Sequence, residues 1–232
     1  MLIECLRKKV IELRFEPMIS AIDNQSKLIK ALLNELGEES YPYWKNKDGV
    51  SLLSNTEKKP TRVIQFENSR LIIAFEDMIS INEFKKVGIK IVQIVKNVFK
   101  EEFTIISRVG CRFISVYSDD NQNSFQGCLD SVNSKYLNPN LPLSLPIVDS
   151  KATIHFDNVH CNIGPVKKDE SWVKEYFAFT QDDCPEFGYG IDVDAFLFGA
   201  EFDDNNAVSK HLKMVFDLLS VVTKEIFESF EV

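Results

Sequence analysis

Apolar and polar residues alternate along positions 9–15. Ile11, Leu13 and Phe15 face one way, and Val10, Glu12 and Arg14 face the other. A period of two predicts a half-buried strand, ended by Pro17. Between 23 and 36 the period lengthens: Leu28, Ile29, Leu32, Leu33 and Leu36 fall on one helical face, and Gly37 supplies a stop. Positions 41–60 begin aromatic and turn polar, and are expected to form an irregular connection or a weak strand. Two β-rich runs, 62–67 and 70–76, meet at Asn68-Ser69 and predict a hairpin. Ser80 stands three residues before Glu83, the spacing of a capping box. Phe84, Val87, Gly88, Ile91, Ile94, Val95 and Val98 then form an apolar stripe. A strand over 103–117 follows, with Arg108, Gly110 and Arg112 on one face.

The segment 118–150 changes character. Positions 125–136 suit a short helix, and Pro139, Pro142 and Pro146 break the pattern beyond it. Strands are expected at 152–157, 176–181 and 189–198. Acidic and amide residues at 203–206 suit a helix start. Val208, Leu212, Val215, Leu219, Val222, Ile226 and Phe230 then make an apolar seam. Together these elements predict an α+β fold, a twisted antiparallel or mixed sheet packed by long amphipathic helices at 80–100 and 205–230. Each half reads as strands followed by one long helix. The expected organisation is a first half over 1–118, a proline-containing connection over 119–150 and a second half over 151–232, in one compact unit. No sequence repeat relates the halves.

Composition narrows the function classes. The chain has 232 residues and a formal net charge of -8, which argues against broad electrostatic binding of nucleic acid or anionic membrane. No run approaches the roughly 18 apolar residues of a membrane span. Cys5, Cys111, Cys128, Cys161 and Cys184 are odd in number and widely spaced, without a CxxC, so reduced structural thiols in the cytoplasm are expected. The amino-terminal charges Glu4, Arg7, Lys8 and Lys9 leave no room for a signal peptide.

Candidate chemistry is sparse. His155, Asp157, His160 and Cys161 could be imagined as a zinc set, but their spacing matches no usual pattern and an exposed turn between strands accounts for them. Cys111 shares a face with Val109 and Phe113 and reads as core. Asp192 and Asp194 share a strand face opposite Ile191, Val193 and Ala195. Two carboxylates so placed could hold Mg²⁺ in a site acting on nucleic acid or nucleotide, and pairing with a neighbouring strand is the simpler account. Arg108 and Arg112 stand roughly 13 Å apart on one face, with Gly110 leaving space between them. A phosphate or carboxylate ligand would fit there. So would cross-strand acids such as Glu12, Glu67 or Glu76. Phosphate-binding, dinucleotide-binding, zinc-protease and nucleophile-elbow motifs are absent from the sequence, and no cofactor or metal is expected.

The order of motifs carries a resemblance. Val10-Ile11-Glu12-Leu13-Arg14-Phe15 comes first, then the Arg108-Val-Gly-Cys-Arg-Phe-Ile114 strand after a long helix. The Ile191-Asp-Val-Asp194 strand follows, and a last helix carries Phe216 and Val222-Thr223. This order resembles a sporadically distributed family of bacterial proteins with no assigned function. Phe113 stands where that family has tyrosine. The resemblance implies an accessory protein of a phage-defence or mobile-element operon and supplies no catalytic residues. The residues and the resemblance agree on a non-catalytic interaction module. Arg108, Arg112, Asp192 and Asp194 are its candidate contact residues, and it would bind a protein partner or a second copy. The competing reading is a metal-dependent enzyme at Asp192 and Asp194.

Overall fold

The structure is a computed structural model and describes residues 2–100, 102, 105–137, 147–201 and 207–231. In chain order the elements are β1 (Leu2–Phe15), α1 (Ser20–Asp23), α2 (Gln25–Leu36), β2 (Tyr43–Lys47), β3 (Val50–Ser54), β4 (Arg62–Phe66) and β5 (Arg70–Phe75). They continue with α3 (Ile81–Val98), β6 (Ile105–Asp119), α4 (Phe125–Tyr136), β7 (Ala152–Phe156), β8 (Val159–Lys167), α5 (Ser171–Tyr176), β9 (Phe187–Glu201) and α6 (Ala207–Glu231). The strands form one antiparallel sheet in the order β2-β3-β4-β5-β1-β6-β9-β8-β7, and the fold is α+β.

The backbone clusters into two compact units. One comprises 9–111 and 195–218, the other 1–8, 112–194 and 219–232. These lines differ from the expected 1–118, 119–150 and 151–232, because β1, β6 and β9 each run on from one unit into the other. Pro139, Pro142 and Pro146, on which the expected connection rested, lie outside the described residues, as does the expected helix start at 203–206.

The unit of 9–111 and 195–218 is built on cross-strand rows. Ile11, Ile73, Ile64 and Leu53 are in register on β1, β5, β4 and β3, and each is fully buried. Burial of each such side chain contributes about 1.5–3 kcal/mol. Helix α3 covers this face with Phe84, Ile91, Val92 and Val95. Its start is the capping box at Ser80 and Glu83. Phe84 meets Phe75 edge-on at 5.2 Å and Phe216 of α6 at 6.1 Å. The part of the α6 seam in this unit thus packs on the protein itself: Leu212, Val215 and Phe216 are all buried.

In the unit of 1–8, 112–194 and 219–232, alternate residues of the strands feed two clusters. Leu6, Ile114, Val116 and Val166 pack with Val173 and Phe177, at and just after α5. Tyr189 packs with Cys128 and Val132 of α4. The expected strand at 176–181 does not form. Val173 and Phe177 are four residues apart and both fully buried, so helical spacing wins there over the apparent alternation. The ammonium of Lys8 donates to the Tyr176 carbonyl at 2.7 Å and caps the end of α5. The strand expected at 152–157 forms as β7, and the turn expected between strands lies at 157–158, where β7 and β8 make a hairpin.

Candidate functional site

Arg112 and Asp192 meet inside the second of these units. Arg112 Nε and Nη2 donate to the two carboxylate oxygens of Asp192, each at 2.8 Å. Asp192 is almost fully buried and Arg112 about two-thirds buried. Nη2 also donates to the Tyr176 hydroxyl at 2.8 Å, and the guanidinium lies 4.7 Å from the centre of the Tyr176 ring. The Asn162 amide reaches the same carboxylate at 3.4 Å, while its carbonyl oxygen accepts from Thr153. Hydrogen bonding to Asp192 raises the Arg112 pKa above its usual range, against the cost of burial. The cluster is therefore a satisfied, two-pronged ion pair with an aromatic lid. Asp194 is half-buried two residues further along β9.

Arg108 belongs to the other unit and makes a separate arrangement. Its Nη1 donates to Glu12 at 2.6 Å, and its guanidinium lies 4.9 Å from the Phe196 ring centre. Glu12 also takes Arg14 at 3.0 Å and lies 4.0 Å from Arg70. The space expected above Gly110 is filled by Arg108 itself: a Cβ on Gly110 would sit 3.1 Å from the guanidinium carbon. Cross-strand pairing with Glu12, one of the two accounts weighed for Arg108, is what the geometry contains.

His155 and His160 face each other across the β7–β8 hairpin, their rings 4.4 Å apart. Cys161 is fully buried next to them in sequence, and burial pushes its thiol up to about 12. Among the described residues no group of three or more histidines, cysteines or acids is placed to hold a metal ion. Burial likewise pushes the Cys128 and Cys184 thiols up to about 11. All five cysteines are free. The three thiols at 128, 161 and 184 stay protonated at neutral pH, a poor state for a nucleophile. A concavity of about 200 Å³ beside Trp172, Gly190 and Asn162 is also lined by Asp149, Lys151 and Glu170.

Two adjacent exposed aromatic residues lie on β2, in the unit of 9–111 and 195–218. All five residues of this strand are exposed, with Tyr43 at 44% and Trp44 at 56%. It pairs with β3 on one side and ends the sheet on the other. Trp44 is in register with Leu53, so it is the outermost member of the buried row Ile11–Ile73–Ile64–Leu53. Of the irregular connection or weak strand expected over 41–60, the structure has two strands, β2 and β3. Their signal was Asp48-Gly49, whose positive φ values of 52° and 80° make the two-residue turn that a hairpin favours.

No helix among the described residues is long and apolar enough to cross a membrane. No protein-family model matches the chain, and no curated protein matches it.

Proposed function

We propose that the protein is a non-catalytic interaction module that docks a protein partner. The observation carrying this reading is β2, a sheet edge that presents Tyr43 and Trp44 to solvent. Exposed aromatic surface beside open backbone hydrogen-bonding groups is an energetic liability for a chain that acts alone, and a docking asset for one that does not. The candidate contact residues contribute stability in this reading. Asp192 is committed to Arg112, and Arg108 to Glu12. A cytoplasmic location belongs to the same proposal and is supported by five free cysteines. A place in a phage-defence or mobile-element operon rests on the ordered motifs at 10–15, 108–114 and 191–194, and the neighbouring genes test it.

The experiment is purification of the tagged full chain from its host, comparing wild type with the Tyr43→Ser/Trp44→Ser double variant. The reading expects a protein that co-purifies at fixed stoichiometry with wild type and is lost from the variant, while the melting curve is unchanged. The competing reading wins if the chain turns over nucleic acid or nucleotide with Mg²⁺ or Mn²⁺, and if Asp194→Asn abolishes this without altering the melting curve.

A further inference from the structure

Resting on the interaction reading above, we propose that β2 captures an extended, acidic segment of its partner by strand addition, with the partner's residues alternating between acidic and apolar. The end position of β2 leaves the backbone groups of alternate residues turned outward, where an added strand can bond them. Side chains of that strand point alternately to the two faces of the sheet, and the two faces differ in chemistry.

On the helix-covered face, Trp44 continues the row of Leu53, Ile64 and Ile73. Between Trp44 and α2 runs a groove of about 190 Å³, lined by Ile29 and Leu33 together with Ser26, Lys30, Asn34 and Glu38. A partner side chain entering on this face extends the core row by one more position and buries Trp44. That position selects an apolar residue.

On the opposite face stand Tyr43, Lys45 and Lys47, in register with Ser54, Leu52 and Val50. A shallow concavity of about 380 Å³ lies along this face beside Tyr43, Lys45 and Leu52, with Glu57 also on its border. Lys47 lies 3.9 Å from the Asp48 carboxylate, but both side chains are at least 80% exposed, so this pair ties up little of its charge. No acid lies within Tyr43–Lys47 itself. Partner residues on this face are acidic, because they sit cross-strand from two lysines.

The same lysines disfavour a second copy as the occupant in the registers centred on Lys45 or Asn46. Antiparallel self-pairing centred on Lys45 would set Lys45 against Lys45, and like charges directly opposite are destabilising. Edge lysines are a common guard against self-pairing. A guard needs no aromatic residues, so Tyr43 and Trp44 are accounted for by the docking role.

The test uses the full-length chain and two capped peptides, Glu-Val-Glu-Ile-Glu-Val and its lysine counterpart Lys-Val-Lys-Ile-Lys-Val, with amide NMR spectra as the readout. The acidic peptide is expected to bind saturably and to shift the amides of residues 43–47, with the lysine peptide weaker. Lys45→Glu/Lys47→Glu should weaken the acidic peptide by on the order of tenfold and favour the lysine peptide. Asn46→Pro should remove binding of both, with the melting temperature as the control for folding. The proposal is overturned if the acidic peptide fails to saturate at millimolar concentration, if it shifts amides elsewhere, or if the charge-swapped and proline variants bind it as wild type does. In that event, a host partner still lost from Tyr43→Ser/Trp44→Ser leaves the interaction reading standing without strand addition. A partner retained by that variant removes both.

Discussion

Arg112 holds Asp192 by both carboxylate oxygens, at 2.8 Å each, from the strand next to it in the sheet. The pair contains opposite charges of unequal burial, and this asymmetry yields a prediction. Arg112→Met leaves a nearly buried carboxylate facing only neutral groups such as Asn162, and should cost about 3 kcal/mol. Asp192→Asn leaves an arginine that still reaches water and Tyr176, and should cost about 1–2 kcal/mol. Urea denaturation of the two variants checks the order. Equal costs, or a larger one for Asp192→Asn, would show that the pair does not sit as described.

Gly88 of helix α3 lies directly against Ile11 of β1. A Cβ there would lie 2.2 Å from the Cδ1 atom of Ile11. Replacing a mid-helix glycine by alanine ordinarily gains about 1 kcal/mol. Here Gly88→Ala should instead destabilise the protein, and adding Ile11→Val should recover most of the loss. A double-mutant cycle on thermal unfolding measures the coupling. Additive effects would mean that the helix does not rest on Ile11.

Alkaline pH should weaken the fold well before lysines titrate. Burial raises Cys161 from 9.0 to about 12, and Tyr41 and Tyr189 from 10.0 to about 12. Between these values the unfolded chain releases protons that the folded chain retains. The stabilisation is complete below pH 9 and is lost progressively as the pH rises towards 12. Each group contributes at most about 1.4 kcal/mol per pH unit to the slope. Cys161→Ala should lower stability at pH 7 yet flatten the decline between pH 9 and 11. An unchanged slope would place the thiol in contact with water.

Much of the fold was legible because local and long-range signals agreed. The hairpin around Asn68-Ser69, the box at Ser80 and Glu83, the helix over Phe125–Tyr136 and the alternation of Ile11, Leu13 and Phe15 all had matching turn, cap and burial patterns. What was misread or left vague has physical causes. Residues 176–181 look like a strand, but one buried phenylalanine at the end of a helical turn settles them otherwise. Strand β2 has no buried residue and so no hydrophobic period; only the Asp48-Gly49 turn and its register with β3 define it. The candidate site was half legible. Strand periodicity put Arg112 and Asp192 on sheet faces, but a sequence does not say which strands are neighbours, and β6 and β9 are far apart in the chain. The aromatic edge went unread because exposed tyrosine and tryptophan carry no pattern of their own.

The most direct measurement is amide hydrogen exchange on the full chain, free and bound to the partner purified with it. The account predicts that exchange slows at 43–47 on binding and stays unchanged around Asn162, Tyr176 and Asp192. Protection at those three positions, with β2 exchanging as freely as before, would contradict it.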